Sequence, residues 1–79
     1  MRILDEDNNK AIKRVLILLT QEEATEMRDD LERMLQKNIS NEHTHINDME
    51  YEHEMTISIY NDQVQSFNER VKNLIAKDE

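Results

Sequence analysis

The sequence predicts a small α+β protein with the element order ββα-ββα, in which a mostly antiparallel sheet and two amphipathic helices form two layers. Two stretches forty positions apart carry apolar residues at helical spacing, and a strand-like segment precedes each of them. Gly and Pro are both absent, so Asn, Asp and Ser must form the turns. We therefore expect two similar hairpin–helix units, although any two amphipathic strand–helix segments can be aligned in this way.

The chain of 79 residues predicts a single domain, residues 1–79, with pseudo-halves at 1–38 and 41–79. A chain of this length buries only about 60–65 % of the surface that its unfolded form exposes, so its core is marginal. It contains no Cys, which excludes a disulfide framework and a thiolate zinc site. We predict no cofactor; a metal or a second subunit are the remaining ways to add stability.

The first half begins with a predicted hairpin. Residues 1–4 form a short strand, residues 5–10 a polar turn in which Asn tolerates positive φ, and residues 12–19 the return strand. The last five residues of the return strand are all apolar, so both of its faces are apolar there. It is therefore either a central strand or a strand that offers an apolar surface to another protein.

One face of the return strand carries Ile12, Leu16 and Leu18. A helix could cover this face, or the face could form an oligomer interface. In the second half, the matching strand has the polar residues Thr56 and Ser58 on that face, which favours the interface. We therefore predict a homodimer.

A helix is predicted from Gln21 to Lys37. Thr20 can cap its first turn, and Glu23, three positions later, closes a capping box. Its apolar positions form one stripe at the helical period: Ala24, Met27, Leu31, Met34 and Leu35.

The second half predicts a short strand over residues 43–46, a tight turn at Asn47-Asp48 and a long strand over residues 50–60. Asn61 or Asp62 then caps a second helix, and Asp62 and Gln65 form a box-like pair. The core face of the long strand carries Tyr51, His53, Met55, Ile57 and Ile59. The apolar positions of the second helix are Val64, Phe67, Val71, Leu74 and Ile75.

Residues 39–60 hold five acidic residues, no Lys or Arg, and all three histidines. This segment supplies −5 of the chain's formal net charge of −8. The solvent face of the long strand carries the predicted partner-binding residues: Glu50, Glu52, Glu54 and Tyr60. Complementary charge steers association and selects partners, so we predict a protein partner with a basic site. The same charge argues against binding to nucleic acid.

His43 and His45 are the residues with metal-ligand chemistry. Residues two apart in a strand point the same way, so both imidazoles could face the glutamates of the next strand. Two imidazoles and a carboxylate can hold Zn²⁺ or another transition ion. The same pattern is typical of an exposed, pH-sensitive hairpin whose histidines pair with carboxylates. His53 has the other parity and is predicted at the edge of the core.

No reaction is predicted, because two layers built from so few residues leave little room for a water-poor pocket. Ser40, Ser58 and Ser66 lack the strained, glycine-flanked turn that activates a serine. No apolar run approaches 18 residues, so no membrane span is expected. The acidic residues at 5–7 follow the start without an apolar stretch, so we expect no signal peptide and a cytoplasmic location.

Residues 15–24, Val-Leu-Ile-Leu-Leu-Thr-Gln-Glu-Glu-Ala, continue into a Leu-containing helix, and a His-x-His segment and the strand 55–60 follow. This arrangement resembles small bacterial proteins, some of which are grouped with immunity proteins of polymorphic toxin systems. The resemblance covers residues 12–60 and implies a cytoplasmic protein that neutralises a partner by binding.

Two functional hypotheses follow. The first is a non-catalytic, acidic protein-binding module, immunity- or inhibitor-like, of bacterial or phage type. The alternative is a metal-binding homo-oligomer with His43 and His45 as ligands.

Overall fold

A computed structural model describes residues 1–37, 43–61 and 66–79, with only the backbone described for Lys37. Its elements in chain order are β1 (Leu4–Asp5), β2 (Lys10–Ala11), α1 (Gln21–Lys37), β3 (His43–Asn47), β4 (Glu54–Ser58) and α2 (Glu69–Lys77). The order ββα-ββα and the antiparallel pairing confirm the predicted α+β class. In the described ranges, the strands form two separate two-stranded sheets, β1–β2 and β3–β4.

The chain divides into two compact units. The first comprises Met1–Ile17 and Val64–Glu79, and the second comprises Leu18–Gln63. The first unit contains β1, β2 and α2, and the second contains α1, β3 and β4. The prediction of one domain with two pseudo-halves stays a prediction.

The hairpin of the first unit is held by its turn. The Asp5 carboxylate accepts hydrogen bonds from the Asp7 N–H (3.1 Å), the Asn8 N–H (3.3 Å) and Asn8 Nδ2 (2.9 Å). The side-chain bond from Asn8 is the main reason that the pKa of Asp5 lies below its usual value. Asn9 has φ 56°, so the expected use of Asn at positive φ is confirmed.

The predicted return strand over residues 12–19 is wrong. β2 ends at Ala11, one further ladder bond joins the Ile12 N–H to the Ile3 carbonyl (3.0 Å), and residues 14–20 form neither helix nor strand. No strand among the described residues pairs with residues 14–20. High β-propensity alone does not form a strand, because a ladder needs a partner.

Helix α2 begins later than predicted. Its N-cap is Asn68, whose side chain accepts a hydrogen bond from the Val71 N–H (2.9 Å), and the helix starts at Glu69. The predicted cap pair Asp62 and Gln65 lies outside the described residues, as does Val64. Leu74 is the buried residue of α2, in agreement with the predicted stripe.

The end of α2 is fixed by charge and hydrogen bonding. Asp78 caps it in the left-handed region at φ 57° and donates its N–H to the Leu74 carbonyl (2.9 Å). Arg2 Nε donates to the same carbonyl (3.0 Å), and Lys13 forms an ion pair with Asp78. The Lys13 side chain, through its hydrogen bond, is the main cause of the lowered pKa of the Asp78 carboxyl.

In the second unit, α1 follows its prediction. Thr20 and Glu23 form the predicted capping box: the Glu23 N–H donates to Thr20 Oγ1 (3.1 Å), and the Thr20 N–H donates to Glu23 Oε1 (2.9 Å). On the apolar stripe, Met34 is buried with 1 % exposure, whereas Leu35 is 68 % exposed. The buried face of α1 is therefore narrower than the predicted stripe.

The core of this unit lies between α1 and β3. Thr44 and Ile46 are buried on β3, with 8 % and 4 % exposure, and pair across the hairpin with Ile57 and Met55. Thr44 Oγ1 donates to Asp30 Oδ2 of α1 (2.7 Å), which satisfies the buried hydroxyl. Alternation along β3 places the side chains of His43 and His45 on the opposite, exposed face.

Candidate functional site

Strands β3 and β4 are joined by residues 48–53, which we call the acidic loop. The predicted tight turn at Asn47-Asp48 and the predicted strand over residues 50–53 are both wrong, because these residues form one longer loop. The Asp48 N–H donates to the His53 carbonyl (3.3 Å), and the Tyr51 N–H donates to the Asp48 carbonyl (3.1 Å). The loop is thus closed by its own backbone.

The Asp48 side chain fixes the interior of the acidic loop. Its carboxylate accepts the N–H groups of Glu52 (2.8 Å) and His53 (3.3 Å), and its Oδ2 lies 2.6 Å from His53 Nδ1. These N–H groups are committed to the loop instead of a strand ladder, which explains why β4 starts only at Glu54. A single side chain therefore determines the shape of the loop.

The contact between Asp48 and His53 also shifts both groups' protonation. The hydrogen bond and the charge of Asp48 raise the pKa of His53 above 6.5, and the charges of Glu52 and Glu23 act in the same direction. The hydrogen bond from His53 lowers the pKa of Asp48 below 3.8. His53 is exposed, with 84 % of its side chain accessible, so its predicted place at the edge of the core is wrong.

The outer residues of the acidic loop point to solvent. Met49 is 93 % exposed and Tyr51 is 80 % exposed, and Glu50 and Glu52 are exposed as well. Tyr51 was predicted on the core face of a strand, which is wrong because the loop displaces it. Tyr51 has φ 56°, a conformation that is rare for a residue other than Gly and that persists where surrounding contacts impose it.

The structure does not bring all four predicted partner-binding residues together. Glu50 and Glu52 lie in the acidic loop, and Glu54 lies next to it as the first residue of β4. Glu54 Oε1 is 2.8 Å from His45 Nδ1, so this carboxylate already has a partner. Tyr60 is 39 % exposed and follows the other end of β4, away from the loop.

The acidic surface extends from the loop to the start of α1. A shallow cleft lies between them, lined by Thr20, Glu22, Glu23, Glu26, Asn47, Asp48, Met49 and Tyr51. The acidic residues Glu22 and Glu23 lie in the first turn of α1. Their position beside the loop depends on the packing of α1 against β3, which no local pattern reveals.

The candidate metal ligands His43 and His45 lie on one exposed face of β3. The rings of His43 and His45 are 5.0 Å apart in an edge-to-face arrangement, and His45 Nδ1 also lies 2.8 Å from Thr56 Oγ1. Residues 1–37, 43–61 and 66–79 contain no group of three or more acidic, His or Cys side chains that could hold a metal ion. The observed contacts are those of histidines paired with polar neighbours across a hairpin.

The predicted interface residues differ in exposure. Leu16 is 83 % exposed and Leu18 is 85 % exposed, whereas Ile12 is half-buried. Because residues 14–20 are not a strand, these three residues do not form a sheet face within one chain.

No protein-family model, curated protein or solved structure matches this chain. The resemblance to immunity proteins therefore stays a hypothesis. Among the described helices, none has both the length and the apolar character required to cross a membrane.

Proposed function

We propose that the protein is a non-catalytic, acidic binding module of the cytoplasm, which neutralises or regulates a partner protein as an immunity or inhibitor protein does. The partner would present a basic site. The observation that carries the proposal is the acidic loop, which exposes Glu50, Tyr51 and Glu52 side by side on a backbone that Asp48 holds.

The physical argument has two parts. A loop that is already fixed loses little conformational freedom on binding, so more of its contact energy contributes to affinity. Tyr51 offers a large, rigid anchor of the kind that dominates protein interfaces, and Glu50 and Glu52 add charges that steer a basic partner. Both glutamates are exposed, and neither forms an ion pair with another residue in the described ranges.

The test compares two double variants with equal charge. Glu50→Lys/Glu52→Lys reverses the charge of two glutamates in the acidic loop. The control, Glu6→Lys/Glu32→Lys, reverses the charge of two exposed glutamates elsewhere. We expect the loop variant to lose at least tenfold in affinity for a partner isolated with the wild-type protein, while the control keeps most of its affinity. Equal losses would mean that net charge, and not the loop, determines binding, and would contradict the proposal.

The same proposal includes a homodimer through the region of Ile12, Leu16 and Leu18. The exposure of the two leucines supports it, because large apolar side chains that remain exposed in a monomer are typical of interaction surfaces.

The alternative function, a metal-binding homo-oligomer, has one supporting observation. His43, His45 and Glu54 lie on or beside one face of the β3–β4 hairpin, with His45 and Glu54 in contact. One copy would leave the ion incompletely coordinated, so a second copy would have to supply further ligands.

A further inference from the structure

His53 is the basic residue of the acidic loop. Residues 48–53 contain three carboxylates, on Asp48, Glu50 and Glu52, and no Lys or Arg. Histidine is the side chain that gains or loses its proton near neutral pH. One proton on His53 therefore changes the formal charge of the acidic loop from −3 to −2.

Acidic groups from three elements surround His53. Within the loop, Asp48 Oδ2 lies 2.6 Å from His53 Nδ1, and the charge of Glu52 acts on the imidazole as well. The charge of Glu23 acts on it from α1, and Glu54 follows it as the first residue of β4. The hydrogen bond with Asp48 is the largest cause of the raised pKa of His53, and the charges of Glu52 and Glu23 add to it.

The shape of the acidic loop does not depend on this proton. The Asp48 carboxylate accepts the backbone N–H groups of Glu52 (2.8 Å) and His53 (3.3 Å), and both bonds need an ionised carboxylate but no charge on the imidazole. The pKa of Asp48 lies below 3.8, so the carboxylate is ionised at neutral pH. Loss of the His53 proton therefore changes the charge that a partner meets, while the backbone bonds of the loop remain.

We propose that a basic partner releases the proton of His53 to solvent when it binds the acidic loop, so that binding becomes tighter as the pH rises through neutrality. This inference rests on the proposed function and adds the regulation of the same site. A cation beside Glu50 and Glu52 repels the imidazolium, whose side chain is 84 % exposed to the same solvent. Because linkage is reciprocal, a partner that expels the proton binds more weakly to the protonated loop.

The first test places a cation in the loop itself and needs no partner. Glu52→Lys should lower the midpoint of the His53 titration, followed by NMR, by at least about 0.5 pH units relative to wild type. Glu32→Lys makes the same change of charge at an exposed position in the second half of α1 and should leave the midpoint near its wild-type value. Equal midpoints in Glu52→Lys and the wild-type protein would overturn the inference, and so would an equal fall in both variants. Circular dichroism checks that each variant keeps its helices.

The second test measures binding of an acetylated oligo-arginine amide. This probe carries no group that titrates near neutral pH, because its guanidinium groups stay protonated. Its affinity for the wild-type protein should rise about threefold between about pH 5.5 and about pH 8.5. His53→Gln should remove this rise. A rise that persists in His53→Gln belongs to other groups and would overturn the inference.

The inference and the proposed function fail in different ways. An oligo-arginine affinity that depends on Glu50 and Glu52 but not on pH would keep the acidic loop as a binding site and overturn the role of His53. If Glu50→Lys/Glu52→Lys binds the probe as tightly as wild type, the acidic loop is not the basic-partner site and the proposed function is contradicted. The NMR midpoint of Glu52→Lys then decides by itself whether a cation in the loop expels the proton.

Discussion

Met34 is the residue on which the packing of α1 should depend most. It is 1 % exposed, and its neighbour Leu35 on the same helix is 68 % exposed. Replacing a buried Met by Ala removes buried surface and leaves a cavity, at a cost of about 2–5 kcal/mol. A protein of this length has a free energy of unfolding of about 4–12 kcal/mol. Met34→Ala should therefore remove a large share of the total stability.

The expected change in melting temperature follows from the same numbers. For a chain of this size, a loss of 1 kcal/mol lowers Tm by about 4–8 °C. A loss of about 3 kcal/mol for Met34→Ala thus predicts a fall of about 12–24 °C. Leu35→Ala serves as the matched control, and at an exposed position it should change stability by less than about 1 kcal/mol.

Thermal unfolding followed by circular dichroism measures both variants under the same conditions. If Leu35→Ala lowers Tm as much as Met34→Ala, the buried face of α1 has been assigned to the wrong side. The cleft between α1 and the acidic loop would then be wrong as well, because it depends on that face.

Two further predictions concern the histidines. The contact between His53 and Asp48 requires a protonated imidazole and an ionised carboxylate. Its contribution to stability is therefore complete below pH 6.5 as long as Asp48 is ionised, and it is lost as the pH rises through the raised pKa of His53. At acidic pH it is lost as the pH falls through the lowered pKa of Asp48. An NMR titration of His53 should have its midpoint above 6.5 and return toward that value in Asp48→Asn, and a wild-type midpoint at or below 6.5 would contradict the contact. A chelator should leave the solution mass and the Tm of the wild-type protein unchanged. If the chelator lowers either quantity in the wild-type protein but not in His43→Ala/His45→Ala, the metal alternative is favoured.

Features that depend on neighbouring residues were predictable from the sequence. The capping box needs only Thr20 and Glu23, three positions apart, and the structure contains it as predicted. The positive φ of Asn9 follows from a turn in a chain without Gly. In both cases the residues that determine the geometry lie within a few positions of one another in the sequence, so no knowledge of the tertiary structure is required.

Features that need a distant partner were not predictable in the same way. Residues 15–19 have the composition of a strand, but they pair with no strand among the described residues. The acidic loop replaced part of a predicted strand because one carboxylate, Asp48, took two backbone N–H groups. The sequence therefore identified Glu50 and Glu52 as candidate contacts and placed them on the wrong type of element.

The carboxylates of the β3–β4 hairpin differ in whether a histidine lies beside them. His53 lies against Asp48, and His45 lies against Glu54, so two of the carboxylates in this hairpin have a basic neighbour. Glu50 and Glu52 have none among the described residues. Asp48 therefore shapes the loop, while Glu50 and Glu52 provide the charge that a partner would meet. Because both side chains are exposed, we expect that reversing their charge changes partner binding more than it changes the stability of the fold.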